Sequence, residues 1–233
     1  MSELVRHAEG LWSVATDHRY FGLYLGTRMT VVRLPGGELW LHSVVAIDDL
    51  LADEIQSYGP VRHIVMPDVY HHVYVADAIR RWPIARVHAP AAMRRKRPEL
   101  RIDADLSSTP DPEWCGALVP LHIDGSMLDE TVFVHPPSRT LIAADLVENF
   151  ERSPHFGTRL YLMAAGLHGH VGWSRFLRPA YRDRRAARHS IDRLLELDFD
   201  RIVLAHGQVL EHGGPAAVRE AFRWLSPSGT TGG

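Results

Sequence analysis

Met66-Pro67-Asp68-Val69-Tyr70-His71-His72 is the stretch on which the fold is read. It continues the apolar run His63–Met66, which has the composition of a buried strand, and it ends in ionisable side chains just past the strand. Leu141-Ile142-Ala143-Ala144-Asp145 and Ile202-Val203-Leu204-Ala205-His206-Gly207 repeat that plan. In layered α/β folds the carboxyl edge of the strands is where loops aim side chains at one point. Two adjacent histidines, an aspartate and a third histidine are donors enough for one transition-metal ion.

Composition sets limits around those segments. The chain has 233 residues, which fits one large domain or two small ones, and its 45% apolar and 23% charged residues suffice for a substantial core. A formal charge of −2 predicts no general affinity for nucleic acid or for acidic membranes. Cys115 is the single cysteine, so no intrachain disulfide forms, which suits a reducing cytoplasm. It has no evident base partner and no nucleophile motif. Met1 to Trp12 carries Glu3, Arg6, His7 and Glu9 rather than the apolar run of a signal peptide. No stretch approaches the ~20 apolar residues of a membrane span. The expectation is a cytoplasmic protein acting on a small molecule. Fifteen histidines are an excess that favours a metal site, since His is the commonest metal ligand.

The flanking chain reads as α/β. Gly10–Thr16, Phe21–Gly26, Met29–Leu34 and Glu38–Ser43 are short strand-like runs punctuated by glycines and the Pro35-Gly36-Gly37 turn. Asp48-Asp49 caps a helix through Leu50, Leu51, Ile55 and Tyr58 that stops at Gly59-Pro60. Strand His63–Met66, helix Val73–Trp82 and strand Arg86–Ala89 follow, then a polar loop over Arg101–Gly116. Ala117–Ile123, Thr131–His135 and Thr140–Leu146 are strands, and Arg159–Tyr181 and Arg184–Leu197 are helical. Strand Arg201–Ala205 and a helix from Pro215 to Leu225 close the pattern. Residues 150–198 thus form a mostly helical insert, a possible lid, within a single domain over 1–225, and 226–233 is a disordered tail.

The order and spacing of these pieces, over residues 10–225, resembles the metallo-β-lactamase-like superfamily. The resemblance implies a four-layer αββα sandwich with metals at its edge. Thr27-Arg28-Met29-Thr30-Val31-Val32-Arg33-Leu34 with Leu39-Trp40-Leu41-His42-Ser43 looks like an uncharacterised branch known by a domain-of-unknown-function label. Met66–His72, Ser138-Arg139-Thr140-Leu141-Ile142 and Ala205-His206-Gly207 fit the same branch. The superfamily signature, His-x-His-x-Asp-His, is degenerate here: its first two histidines fall on Pro67 and Val69, its Asp on His71, and its last His on His72. The mid-chain metal histidine has no clear equivalent, because His122 falls inside a strand. The resemblance therefore implies one surviving metal site, with His71, His72, Asp145 and His206 as ligands for zinc or iron. Exchanging Asp for His at the first position makes a divalent site one unit more positive, which acidifies a bound water or favours an anionic substrate.

Each of these residues has a plainer reading. His71-His72 is also a helix-start pair, Asp145 a cap or salt-bridge partner, and His206 a ring bonded to backbone before the turn at Gly207. Asp145 and Asp68 are the candidate proton-handling carboxylates, although Asp68 equally suits a helix N-cap. His42 and Ser43 end a strand near the same edge and are candidate supports for the ligands. His168 and His170 lie in a Gly-rich loop and are candidate lid residues. The basic run Arg94-Arg95-Lys96-Arg97 with Arg101 reads as a solvated face. A metal-dependent hydrolase is the leading expectation. A non-haem iron oxidoreductase and a non-catalytic binding protein on the same scaffold are the alternatives.

Overall fold

Strands that are apolar on both faces need cover on both sides, and this molecule supplies it. In the computed structural model, which describes residues 3–150 and 153–225, β5 (Thr27–Arg33) and β6 (Leu39–His42) are buried on both faces. Met29, Val31, Leu39 and Leu41 point to one core, and Val32 and Trp40 to another. These strands lie in a seven-stranded sheet with β1 (Val5–Ala8), β2 (Leu11–Thr16), β7 (Val61–Val65), β8 (Arg86–Ala89) and β9 (Ala104–Asp105), in the order β1-β2-β5-β6-β7-β8-β9. The second sheet runs β10 (Val119–His122), β11 (Thr131–His135), β12 (Thr140–Ile142), β15 (Arg201–Val203).

The two sheets meet across Trp40, Val65, Trp114, Phe133 and Ile142. Phe133 stands edge-on to Trp40, with ring centroids 4.9 Å apart. Helices α1 (Asp49–Ser57) and α2 (Val75–Arg81), with the short α3 (Met93–Lys96), cover the outer face of the first sheet through Leu51, Ile55, Val75, Ala78 and Met93. Helices α5 (Arg184–Leu194) and α6 (Gly214–Ala221) cover the second through Ile191, Leu194 and Val218. The result is the expected αββα sandwich. β6, β7 and β8 are mutually parallel, as are β12 and β15. The loops after β7, β12 and β15 carry His71, Asp145 and His206.

Some expected elements differ. The helix expected over Arg159–Tyr181 is only α4 (Phe156–Ala165). Gly166 ends it in the left-handed region at φ 74°, where its N–H reaches Leu162 and Met163 carbonyls. The chain then forms β14 (His170–Gly172), paired with β13 (Glu148–Phe150), and a 3-10 turn over Arg175–Ala180. The Arg101–Gly116 loop contains β9 and a turn at Pro112–Trp114 that buries Trp114 between the sheets. The Phe21–Gly26 run is half of a small hairpin, β3 (Arg19–Tyr20) with β4 (Leu23–Tyr24). The tail 226–233 lies outside the described residues.

Candidate metal centre

Asp68 builds the first corner. It is fully buried, and its Oδ1 accepts from the backbone N–H groups of Tyr70 (2.6 Å) and His71 (2.8 Å). This folds the loop after β7 into a tight turn of the kind short acidic side chains stabilise. Its Oδ2 lies 2.8 Å from Nδ1 of His71. Val69 N–H donates to Leu128 O, and Thr131 N–H donates to Pro67 O, so the turn is anchored to the second sheet.

Asp145 follows the end of β12. Ala144 N–H, one residue earlier, donates to the Oε1 of buried Glu130 at 2.7 Å. His206 follows β15, and its Nδ1 lies 2.8 Å from Gly26 O. Arg28 grips the turn that carries His206, donating to Leu204 O (2.6 Å) and Gly207 O (2.8 Å). Gly207 sits at φ 94°, and a Cβ there would lie 1.9 Å from Asn149 O, so the turn admits only glycine.

His71, Asp145 and His206 each turn a donor atom to one point, the three lying within 4.8 Å of one another. Nε2 of His206 is 3.2 Å from Oδ1 of Asp145, and Nδ1 of His71 is 3.9 Å from Oδ2. The chemistry of the donors fits a metal ion. A carbonyl can only accept, so Nδ1 of His206 donates to Gly26 O, and its Nε2 faces Oδ1 of Asp145. Asp68 ties the Nδ1 proton of His71 in the same way. Nε2 of His71 is buried with no hydrogen-bond partner. Imidazoles whose second nitrogen is fixed by a carboxylate or carbonyl are the usual form of metal-ligating histidine.

The electrostatics are those of crowded carboxylates. Burial works against charge on His71, yet Asp68 and Asp145 outweigh it and push its pKa up to about 10. Burial likewise opposes ionisation of Asp145, but His71 and His206 hold its carboxyl below the ordinary range. Glu130 is raised well above the usual carboxylate value by burial and by Asp68 and Asp145. Burial lifts Glu148, on β13, to about 7; its Oε2 has no partner.

The remaining expected residues fall as follows. His72 is not in the group: its Nδ1 faces the guanidinium of Arg97. Burial and the charges of Lys96 and Arg97 lower its pKa; of the four ligands expected from sequence, His71, Asp145 and His206 are the ones grouped. Adjacent residues on a turn diverge here because Asp68 holds only His71. His42 and Ser43 are buried at the end of β6; His42 stacks on Trp40 and makes no hydrogen bond to the three donors. Burial and His71 push His42 down to about 3. His168 precedes β14 and His170 begins it, both outside the donor group, with His168 bridged to Phe150.

Glu130, Glu148, His18 and Tyr20 also surround the donor group, and none of them is among the residues expected from sequence. Glu130 and Glu148 each border an apolar run, the same signal that singled out Asp145. Tyr20, on the hairpin, stands edge-on to His206 with ring centroids 5.6 Å apart, and His18 bonds the Tyr74 hydroxyl at 3.1 Å. Burial with Asp145 and Asp68 raises Tyr20 to about 12.

Two sheets between helices also describe a set of solved structures. The fold is that of the metallo-β-lactamases. The metallo-β-lactamase from Pontibacter korlensis superposes with a TM-score of 0.68 at 14% identity, over 96% of this chain and 99% of that one. A metallo-β-lactamase from Hirschia baltica gives 0.64 at 13% identity, over 97% and 99%. FIM-1 from Pseudomonas aeruginosa, in its mono-zinc form, gives 0.62 at 16% identity, over 96% and 92%. Residues 9–93 match the family model described as Domain of unknown function (DUF4336). No curated protein matches the sequence. Among the described residues, no helix is long and apolar enough to cross a membrane.

Proposed function

We propose that this protein is a metal-dependent hydrolase with a single ion held by His71, Asp145 and His206. One observation carries the reading: His71, Asp145 and His206 bring donor atoms within 4.8 Å of one another, and both buried imidazoles have Nδ1 beside an acceptor, Asp68 or Gly26 O. When bound, a divalent ion supplies Lewis acidity and lowers the pKa of water. Three protein donors leave a coordination position for substrate, as catalytic zinc sites do. Once an ion displaces the ring proton that His71 otherwise keeps, two neutral imidazole ligands and one carboxylate leave a divalent site with net charge +1, which favours developing negative charge on a substrate oxygen.

The protein's own residues then divide the work. Asp68 is a positioning residue, since its oxygens are spent on the Tyr70 and His71 amides and the His71 ring. Asp145, the partly accessible carboxylate of the group, is the proton acceptor nearest the chemistry. Tyr20 and His18 wall the approach from the hairpin. Beside His206 opens a cleft of about 860 Å³, bordered by His18, Tyr24, Gly26, Phe150 and Gly207. That is a small-molecule volume. Mono-zinc FIM-1 is a precedent, within the fold, for one ion.

The donor set supports a second reading. Two histidines and one carboxylate also make the facial site of non-haem ferrous oxygenases. Metal analysis after chelator-free purification, with hydrolysis assays on carboxylic and phosphoric esters, tests the proposal. Zinc-supported turnover that disappears in His206→Ala is expected. Iron retention with oxygen consumption favours the oxidoreductase, and a protein that takes up no ion contradicts both.

A further inference from the structure

Helix α4 has two apolar faces. Thr158, Leu162 and Ala165 are buried, while Phe156, Leu160 and Met163 form a stripe on the opposite side at 71%, 57% and 60% exposure. Their i, i+4, i+7 spacing puts them in one row. The 3-10 turn that follows extends the patch: Phe176 lies against Tyr161 of α4 (6.0 Å) and Leu177 is exposed beside it. An apolar row of this kind on a soluble surface marks a contact.

The charge around the row says what covers it. Residues 153–187 hold six arginines against one aspartate, a net of +5 in a chain whose total is −2. The aspartate, Asp183, caps α5. Arg159 lies over the Phe156 ring, and Arg178 and Arg184 lie over Trp224. Among the described residues, none of Arg159, Arg175, Arg178, Arg182, Arg184 and Arg185 forms an ion pair. The basic run at 94–101 is the opposite case, with Arg94, Arg97 and Arg101 paired to Asp105, Glu99 and Asp103. A groove of about 270 Å³ lined by Arg175, Arg178, Glu220, Arg223 and Trp224 reaches Gly166, the C-terminal cap of α4; Arg223 pairs with Glu220 there, and Nε of Arg178 is buried without a partner.

We propose that this face docks on an anionic phospholipid surface, with Phe156, Leu160 and Met163 entering the acyl boundary and the arginines meeting headgroup phosphates. The pairing of an apolar row with a basic rim is the pattern of interfacial helices. A second copy would set the same unpaired arginines against each other. Residues 226–233, Ser-Pro-Ser-Gly-Thr-Thr-Gly-Gly, offer no apolar side chain to cover the row. Nucleic acid would meet the arginines but leave Leu160 and Met163 without an apolar partner.

Vesicle sedimentation with the full chain tests this. Binding to phosphatidylcholine vesicles containing phosphatidylglycerol is expected to exceed binding to pure phosphatidylcholine by about tenfold or more, and to fall in high salt. Leu160→Ser/Met163→Ser and, separately, Arg175→Gln/Arg178→Gln should each lose most of that binding with circular dichroism and metal content unchanged. Equal binding to both vesicle types, or folded variants that bind like the parent, overturns the proposal. So does light scattering that shows a dimer abolished by the Leu160→Ser/Met163→Ser pair.

Discussion

His71 and His206 at the sheet edge, and His63 and His88 inside the first sheet, are four buried imidazoles with opposite surroundings. Nδ1 of His63 and Nε2 of His88 are 3.1 Å apart, and Trp114 packs on both rings at 5.1 and 4.5 Å. Each satisfies the other, and the nearest carboxylate, Glu113, is half exposed. Burial lowers both, His88 to about 3 with His63 adding to the effect. The edge pair instead faces Asp68 and Asp145, which outweigh burial on His71. Burial alone therefore does not mark a ligand. What distinguishes the edge pair is an Nδ1 fixed by an acceptor on each ring and a shared carboxylate, Asp145, 3.9 Å from the His71 ring and 3.2 Å from the His206 ring.

Removing that carboxylate should break the contrast most severely. Asp145→Ala is expected to weaken zinc binding by more than about a hundredfold in chelator competition, beyond what loss of an outer partner typically costs. Asp68→Asn should cost about 10–100-fold, because the His71 ring loses its orienting carboxylate while all three donors remain. A smaller effect on affinity would mean that backbone packing alone fixes His71.

The inner pair predicts a stability effect instead. His88 has a folded-state pKa of about 3 against an ordinary 6.5. The unfolded chain therefore binds its proton first on acidification. The contribution is fully present above pH 6.5 and is lost as pH falls toward 3. Between pH 7 and pH 5 that loss is about 2 kcal/mol for one such group. Urea midpoints of His88→Gln should fall less over that interval than those of the parent, with zinc affinity unchanged. His72→Ala should have the smallest effect, leaving zinc affinity within about twofold, because its ring faces Arg97.

Much of this arrangement was legible in the primary structure. Apolar runs ending in His71, Asp145 and His206 gave both the layered fold and the edge at which they meet, because a strand buried on two faces must surface where its loop begins. His72 was not legible: which of two neighbouring histidines turns inward depends on the three bonds Asp68 makes. Gly166 ended the long helix expected after Arg159, since apolar spacing continues across it while its backbone does not. Glu130 escaped notice because its role is to accept from Ala144 N–H across the second sheet, a contact between distant segments that no local spacing encodes.

The central claim is that three side chains from three strand ends share one ion. Anomalous diffraction from zinc-soaked crystals tests it most directly. A single strong peak within bonding distance of Nε2 of His71, Nε2 of His206 and a carboxylate oxygen of Asp145 is predicted. Empty density between them under zinc-replete conditions, or a peak seated on His72 instead of His71, would contradict the account.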